Sequence, residues 1–203
     1  MWSPRAAVHP RGVRDAAAIQ RGVSHAEYLA RESASEERHE WLDGVVYAMA
    51  GGTLDHSALC AAVIAGLSAG LAGQRCRVYT SDARVRVLAT GLATYPDASV
   101  VCGRVERDPD DAHAMTNPVV LVEVLSNSTE DWDRGGKFAH YRRIPSLRDY
   151  VLVAQTEPVI EHHARNADGT WTMRELRPGD ALSLTGVEAS LSVAEVFRDP
   201  LAE

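Results

Sequence analysis

The chain has 203 residues, 45% apolar and 24% charged, which is globular composition with enough length for one substantial hydrophobic core. Its 21 Lys and Arg against 28 Asp and Glu leave a formal charge of −7, which speaks against a protein whose main task is to coat nucleic acid electrostatically. Metal-dependent nucleases stay open, because their carboxylates gather around a cation whose own charge this sum omits.

No apolar run approaches the roughly 18 residues a membrane span needs, so a soluble, cytoplasmic chain is expected. Cys60, Cys76 and Cys102 are odd in number and lack CxxC spacing, which predicts reduced thiols rather than a disulfide framework. Residues 1–23 carry four Arg against one Asp and lack the apolar centre of a secretory signal. They read as a mobile tail ahead of a single domain over 24–203.

Ser24 and Glu27 have the spacing of a capping box, so a short helix starts there. Asp43-Gly44 tolerates the positive φ of a tight turn and predicts a hairpin from about Arg38 to Ala50. Leu59, Val63, Ile64, Leu67 and Leu71 recur at three- and four-residue steps, which predicts the main helix from Leu54 to Leu71, closed by Gly73 and packed on a sheet. Strand-like runs follow at Arg75–Thr80, Arg84–Leu88, Ala98–Cys102 and Val119–Leu125, read together as one four-stranded sheet. The polar stretch Arg104–Asn117, with Pro109-Asp110 as a turn, reads as a surface loop. Asp133–Arg143 predicts a second helix stopped by Pro145. Strands are expected at Tyr150–Val153, Val159–His163 and Trp171–Leu176, the last two joined by Asp168-Gly169. Ser192 and Glu195 open a short terminal helix.

The chemistry-bearing residues stand out against this frame. Pro118–Leu125 is an apolar strand interrupted by Glu123, and alternation places Glu123 on the face of Leu121 and Leu125. A carboxylate there needs a cation, a hydrogen-bond network, or water at a sheet edge. Asp97, behind Pro96, stands at the mouth of another strand. Adjacent strands lie about 5 Å apart, so Asp97 and Glu123 can meet, and two such carboxylates suit a hard divalent ion such as magnesium. On the following helix Lys137 shares a face with Tyr141, where an ammonium steadies anionic charge or orients an attacking water.

The strings Arg38-His-Glu-Trp-Leu-Asp-Gly-Val-Val-Tyr-Ala-Met-Ala-Gly51, Tyr95-Pro-Asp97, Val122-Glu-Val-Leu-Ser-Asn-Ser-Thr129 and Asp133–Leu147 resemble, in order, the Uma family of endonucleases. That family belongs to the restriction-endonuclease-like PD-(D/E)xK nuclease superfamily, and the resemblance spans roughly residues 24–197. It implies an α/β, restriction-endonuclease-like fold: a central mixed β-sheet flanked by helices, with an additional C-terminal β-hairpin.

By the same resemblance, Asp97 and Glu123 are metal ligands, the Val124 carbonyl is a third, and Glu40 adds an inner or outer ligand. The superfamily's lysine position is Leu125 here, and the matching lysine is Lys137 on the next helix. Asn127 stands where the family pattern has proline. The implied catalytic set is Asp97, Glu123 and Lys137, acting with Mg2+ or Mn2+ on a DNA substrate, with a homodimer by analogy to nucleases that cut both strands. His56 falls where the family often has histidine, read equally as a phosphate contact or a locally bonded helix-start residue.

Two other readings stand beside a magnesium-dependent endonuclease. One is a catalytically silent binding or assembly module on the same fold, and the other a two-carboxylate hydrolase of a different substrate, in which Lys137 has no task. His162-His163 does not read as a metal pair, since adjacent strand residues face opposite ways. Ser126 and Ser128 read as loop and cap residues. Trp132 is a rim aromatic, with base stacking as a minor role.

Overall fold

The computed structural model describes residues 18–49 and 51–201. In chain order the elements are β1 (Ala18–Arg21), α1 (His25–Glu32), β2 (His39–Leu42), β3 (Val45–Ala48), α2 (Leu54–Gly70), β4 (Cys76–Thr80), β5 (Arg84–Val87), β6 (Leu92–Thr94) and β7 (Ala98–Cys102). There follow β8 (Arg107–Asp108), β9 (Asp111–Met115), β10 (Val120–Val124), a π-helical turn Trp132–Lys137 running into α3 (Phe138–Tyr141), β11 (Asp149–Val153), β12 (Ile160–Arg165) and β13 (Trp171–Leu176). A small hairpin, β14 (Ala181–Ser183) with β15 (Ser190–Ser192), leads into α4 (Val193–Val196).

The local signals translate directly. Ser24 and Glu27 form the reciprocal capping box on α1, and Ser192 caps α4 by accepting from Glu195 N. Asp43 (φ 49°) and Gly44 (φ 79°) make the left-handed turn between β2 and β3. Pro109 and Asp110 form the expected turn, but between strands β8 and β9, which corrects the reading of Arg104–Asn117 as a surface loop.

The strands assort into two large sheets rather than one four-stranded one. The first has the order β13-β12-β11-β10-β7-β4, with β10 and β11 parallel and its other pairs antiparallel. The second has the order β1-β3-β2-β6-β5-β9-β8. Arg84–Val87 therefore belongs to the second sheet, since Asp82 and Ala83 turn the chain away after β4. β1 pairs with β3, and Val23 is buried with its carbonyl accepting from Trp41 Nε1 (2.8 Å). Residues 18–23 are thus part of the fold, a correction to the expected tail; residues 1–17 lie outside the described residues.

Alternation along β10 sorts two cores. Val120, Val122 and Val124 pack with Val63 and Leu67 of α2 and with the β14–β15 hairpin, while Leu121 and Leu125 pack with Tyr141, Tyr150, Val85 and Leu92 on the side of the second sheet. Glu123 points into this second layer from a central strand. Cys76 and Cys102 are register partners on β4 and β7 and form a disulfide, which corrects the reading of three reduced thiols; Cys60 is free. An odd count says only that one sulfur is left over.

Candidate active site

The site lies between the two sheets, with residues of both lining it. Tyr95-Pro96-Asp97 is the strap that carries the chain from β6 in the second sheet to β7 in the first. A cleft of about 120 Å³ opens beside it, lined among others by Glu40, His56, Asp97, Glu123, Val124 and Lys137. All five residues expected to carry the chemistry therefore converge on one cleft, from β2, the strap, β10 and the π-helical turn.

Glu123 is 4% exposed and Lys137 6%, so neither is a wetted side chain at a sheet edge. Lys137 Nζ stands 3.1 Å from Glu123 Oε1, 3.3 Å from Glu40 Oε1 and 3.1 Å from Asp133 Oδ1. Tyr141 OH donates to Glu123 Oε1 (2.8 Å), and Thr94 Oγ1 donates to Glu40 Oε1. Burial pushes the Glu123 carboxyl well above the usual range, with Asp133 and Asp97 adding to that push and Lys137 opposing it. Burial also works against the Lys137 charge, but Asp133, Glu123 and Glu40 outweigh it and hold the ammonium well above its ordinary value.

Asp97 is fixed differently. Its Oδ2 accepts from Val124 N (2.7 Å) and lies 3.4 Å from His56 Nε2. This bond ties the strap to the end of β10. His56 is raised to about 10 by its bonds to Asp97 and Cys60, against the effect of burial, so it is charged at neutral pH beside the Asp97 carboxylate.

Asp133 was missed as a site residue by sequence reasoning. Its spacing of four from Lys137 was the available signal, and in the buried turn it becomes a third carboxylate on the same ammonium. The turn is π-helical where a regular helix was expected. Gly136 makes this possible: a Cβ there would stand 1.8 Å from Trp132 Cζ3, so the indole folds over the glycine and lines the cleft. His162 bonds Asp149 on one side of β12 while His163 packs against Phe138 on the other, as alternation requires. Ser126 bonds Ser128 and Thr129 within the loop.

Glu40, Asp97 and Glu123 offer the hard oxygen donors that magnesium takes, at the rim of a cluster holding three carboxylates to one ammonium. Buried carboxylate in excess of its cation favours a further positive charge. The donor set fits such an ion.

A mixed two-sheet α/β fold with carboxylates and a lysine gathered between the sheets is a restriction-endonuclease-like fold. The sequence matches the Uma2 family, described as "Putative restriction endonuclease", over residues 25–194, and the chain belongs to that family. Two uncharacterized proteins of Synechocystis sp. are similar to it: one is 38% identical over 176 residues, covering 87% of this chain and 92% of that protein, and the other 31% identical over 154 residues, covering 76% and 87%. Among solved structures, a "putative nuclease belonging to DUF820" from Anabaena variabilis shares the fold with a TM-score of 0.66 at 18% identity, over 80% of this chain and 91% of that one. Among the described residues no helix is long and apolar enough to cross a membrane.

Proposed function

We propose that the protein is a metal-dependent endonuclease that hydrolyses phosphodiester bonds of DNA. The observation that carries this reading is the Lys137 ammonium held within 3.3 Å of three buried carboxylates on the wall of the cleft that also holds Asp97.

Asp97 and Glu123 would hold magnesium or manganese, with Glu40 and the Val124 carbonyl adding oxygen donors. When bound, that ion lowers the pKa of a coordinated water and offsets the charge of the scissile phosphate. Lys137 keeps its proton, because the carboxylates around it hold it in the charged form. Its Nζ therefore supplies fixed positive charge, and donors, to a water or to the anionic oxygens of the transition state. Tyr141 holds Glu123 by its hydroxyl, whose own ionisation burial pushes far up, so it stays a donor. Val124 N and His56 fix Asp97 in orientation, and Thr94 does the same for Glu40. Preorganised charge of this kind needs no rearrangement at the moment of reaction.

Asp97, Glu123 and Lys137 are all present and line one cleft, which favours activity over a silent module. The net charge of −7 makes DNA affinity modest and strongly salt-sensitive. The test is cleavage of supercoiled plasmid and single-stranded DNA with magnesium or manganese, using wild type, Asp97→Ala and Lys137→Ala from identical preparations. Metal-dependent nicking lost in both variants is the expected result. Equal nicking in all three marks a contaminant, and none in any moves the reading to the silent module.

A further inference from the structure

A second donor set stands beside the first and differs from it in kind. Thr53 caps α2 by accepting from His56 N (3.1 Å), which places His56 in the first turn of a 17-residue helix. Its ring leans back over the approach to the helix, where a Cβ on Gly52 would stand 2.9 Å from Nδ1. One turn on, and on the same helix face, is Cys60, whose Sγ is 3.5 Å from His56 Nδ1. From across the cleft Asp97 brings Oδ2 to 3.4 Å from His56 Nε2. One donor atom from each of the three lies within 4.8 Å of the others.

We propose that His56, Cys60 and Asp97 form a metal site of their own, selective for a soft divalent transition ion of the zinc class and sharing Asp97 with the oxygen-rich cluster. Donors around a tetrahedral zinc stand roughly 3.3–3.8 Å apart, given bonds of about 2.0–2.3 Å. Closing the triad therefore takes a contraction of about an ångström, within reach of side-chain rotation at partly exposed residues. On binding, the Cys60 thiol and the His56 imidazolium each give a proton to solvent, and the sulfur becomes an anionic ligand. One imidazole nitrogen and one Asp97 oxygen add lone pairs, and water takes the fourth position. Magnesium prefers oxygen and shuns thiolate, so the nitrogen-sulfur-oxygen set separates the two ions by chemistry. Resting on the nuclease reading, one consequence follows: a zinc-class ion that engages Asp97 withdraws a magnesium ligand, so this site inhibits cleavage.

Cobalt(II) chloride is the probe, because a thiolate bound to cobalt absorbs in the near ultraviolet whereas oxygen ligands alone do not. The full-length protein, titrated without reductant, magnesium or nucleic acid, is expected to develop this band. Zinc chloride should then abolish it. Cys60→Ser should lose the band, His56→Ala should require roughly tenfold or more cobalt to reach it, and Glu123→Gln should keep it, with circular dichroism showing each variant folded. Absence of the band in wild type, or its persistence in Cys60→Ser, overturns the site. Magnesium-dependent nicking without a cobalt band sinks this site and leaves the nuclease reading standing. A cobalt band without nicking supports this site while the nuclease reading falls.

Discussion

Lys137 Nζ lies 3.1 Å from Glu123 Oε1, although the two come from different elements, a π-helical turn and the central strand β10. Two residues after Glu123, on the same strand face, stands Leu125, buried in the core shared with Tyr141 and Leu152. The ammonium that a lysine at that position would bring along the strand arrives instead from the helix above it.

The imbalance around that ammonium makes Glu123→Gln informative. Burial raises the Glu123 carboxyl, so its contribution to stability is present below the unfolded value near 4.5 and is lost as pH rises through the folded value. At neutral pH in chelator, Glu123→Gln is therefore expected to raise the urea midpoint while cutting nicking at least ~10²-fold. A lower midpoint with a normal transition slope contradicts the excess of buried negative charge.

Gly136→Ala tests the turn. The added methyl meets the Trp132 ring, so the indole must leave its seat or the turn must unwind, at about 1–3 kcal/mol. A shifted tryptophan emission and weakened cleavage are expected, with Gly135→Ala as the control, since nothing lies within 4 Å of a Cβ there.

Asp149 is expected to contribute to acid sensitivity. Burial opposes its ionisation, but His162 (2.8 Å), Thr185 N and Oγ1 (2.9 and 2.8 Å) and Gly186 N (2.7 Å) outweigh that and hold the carboxyl below its usual range. With a depressed folded value, the stabilisation is present above the unfolded value of about 3.9 and is lost as pH falls through the folded one. Asp149→Asn is expected to cost about 3 kcal/mol in urea melts at pH 7 and progressively less below about pH 3.9. A constant cost across that range refutes the assignment.

The Cys76–Cys102 disulfide closes a sequence separation of 26 residues. Chain-entropy arguments give about 3.5 kcal/mol for such a loop, so reduction or the Cys76→Ser/Cys102→Ser variant should lower stability by that order. Thiol titration of the unreduced, unfolded protein should find one free sulfur. Three would overturn the pairing.

Much of this was legible in the sequence because it depends on neighbours along the chain. Capping at Ser24, the turn at Asp43-Gly44, the boundaries of α2 and the face on which Glu123 lies are set by hydrogen bonds and side-chain directions within a few residues. The motif order also named Glu40, Asp97, Glu123 and Lys137, which the fold brings to one cleft.

What only the tertiary structure decided are relations between segments far apart in the chain. Strand patterns do not say which strands pair, so Arg84–Val87 fell into the second sheet and Ala18–Arg21 into the fold. Three cysteines do not say which two face each other across a register. The third carboxylate on Lys137, the indole over Gly136 and the meeting of His56 with Asp97 likewise depend on packing in three dimensions. Local propensity acts over one or two turns of chain, whereas the energy of a buried charge is set by every group the fold places around it.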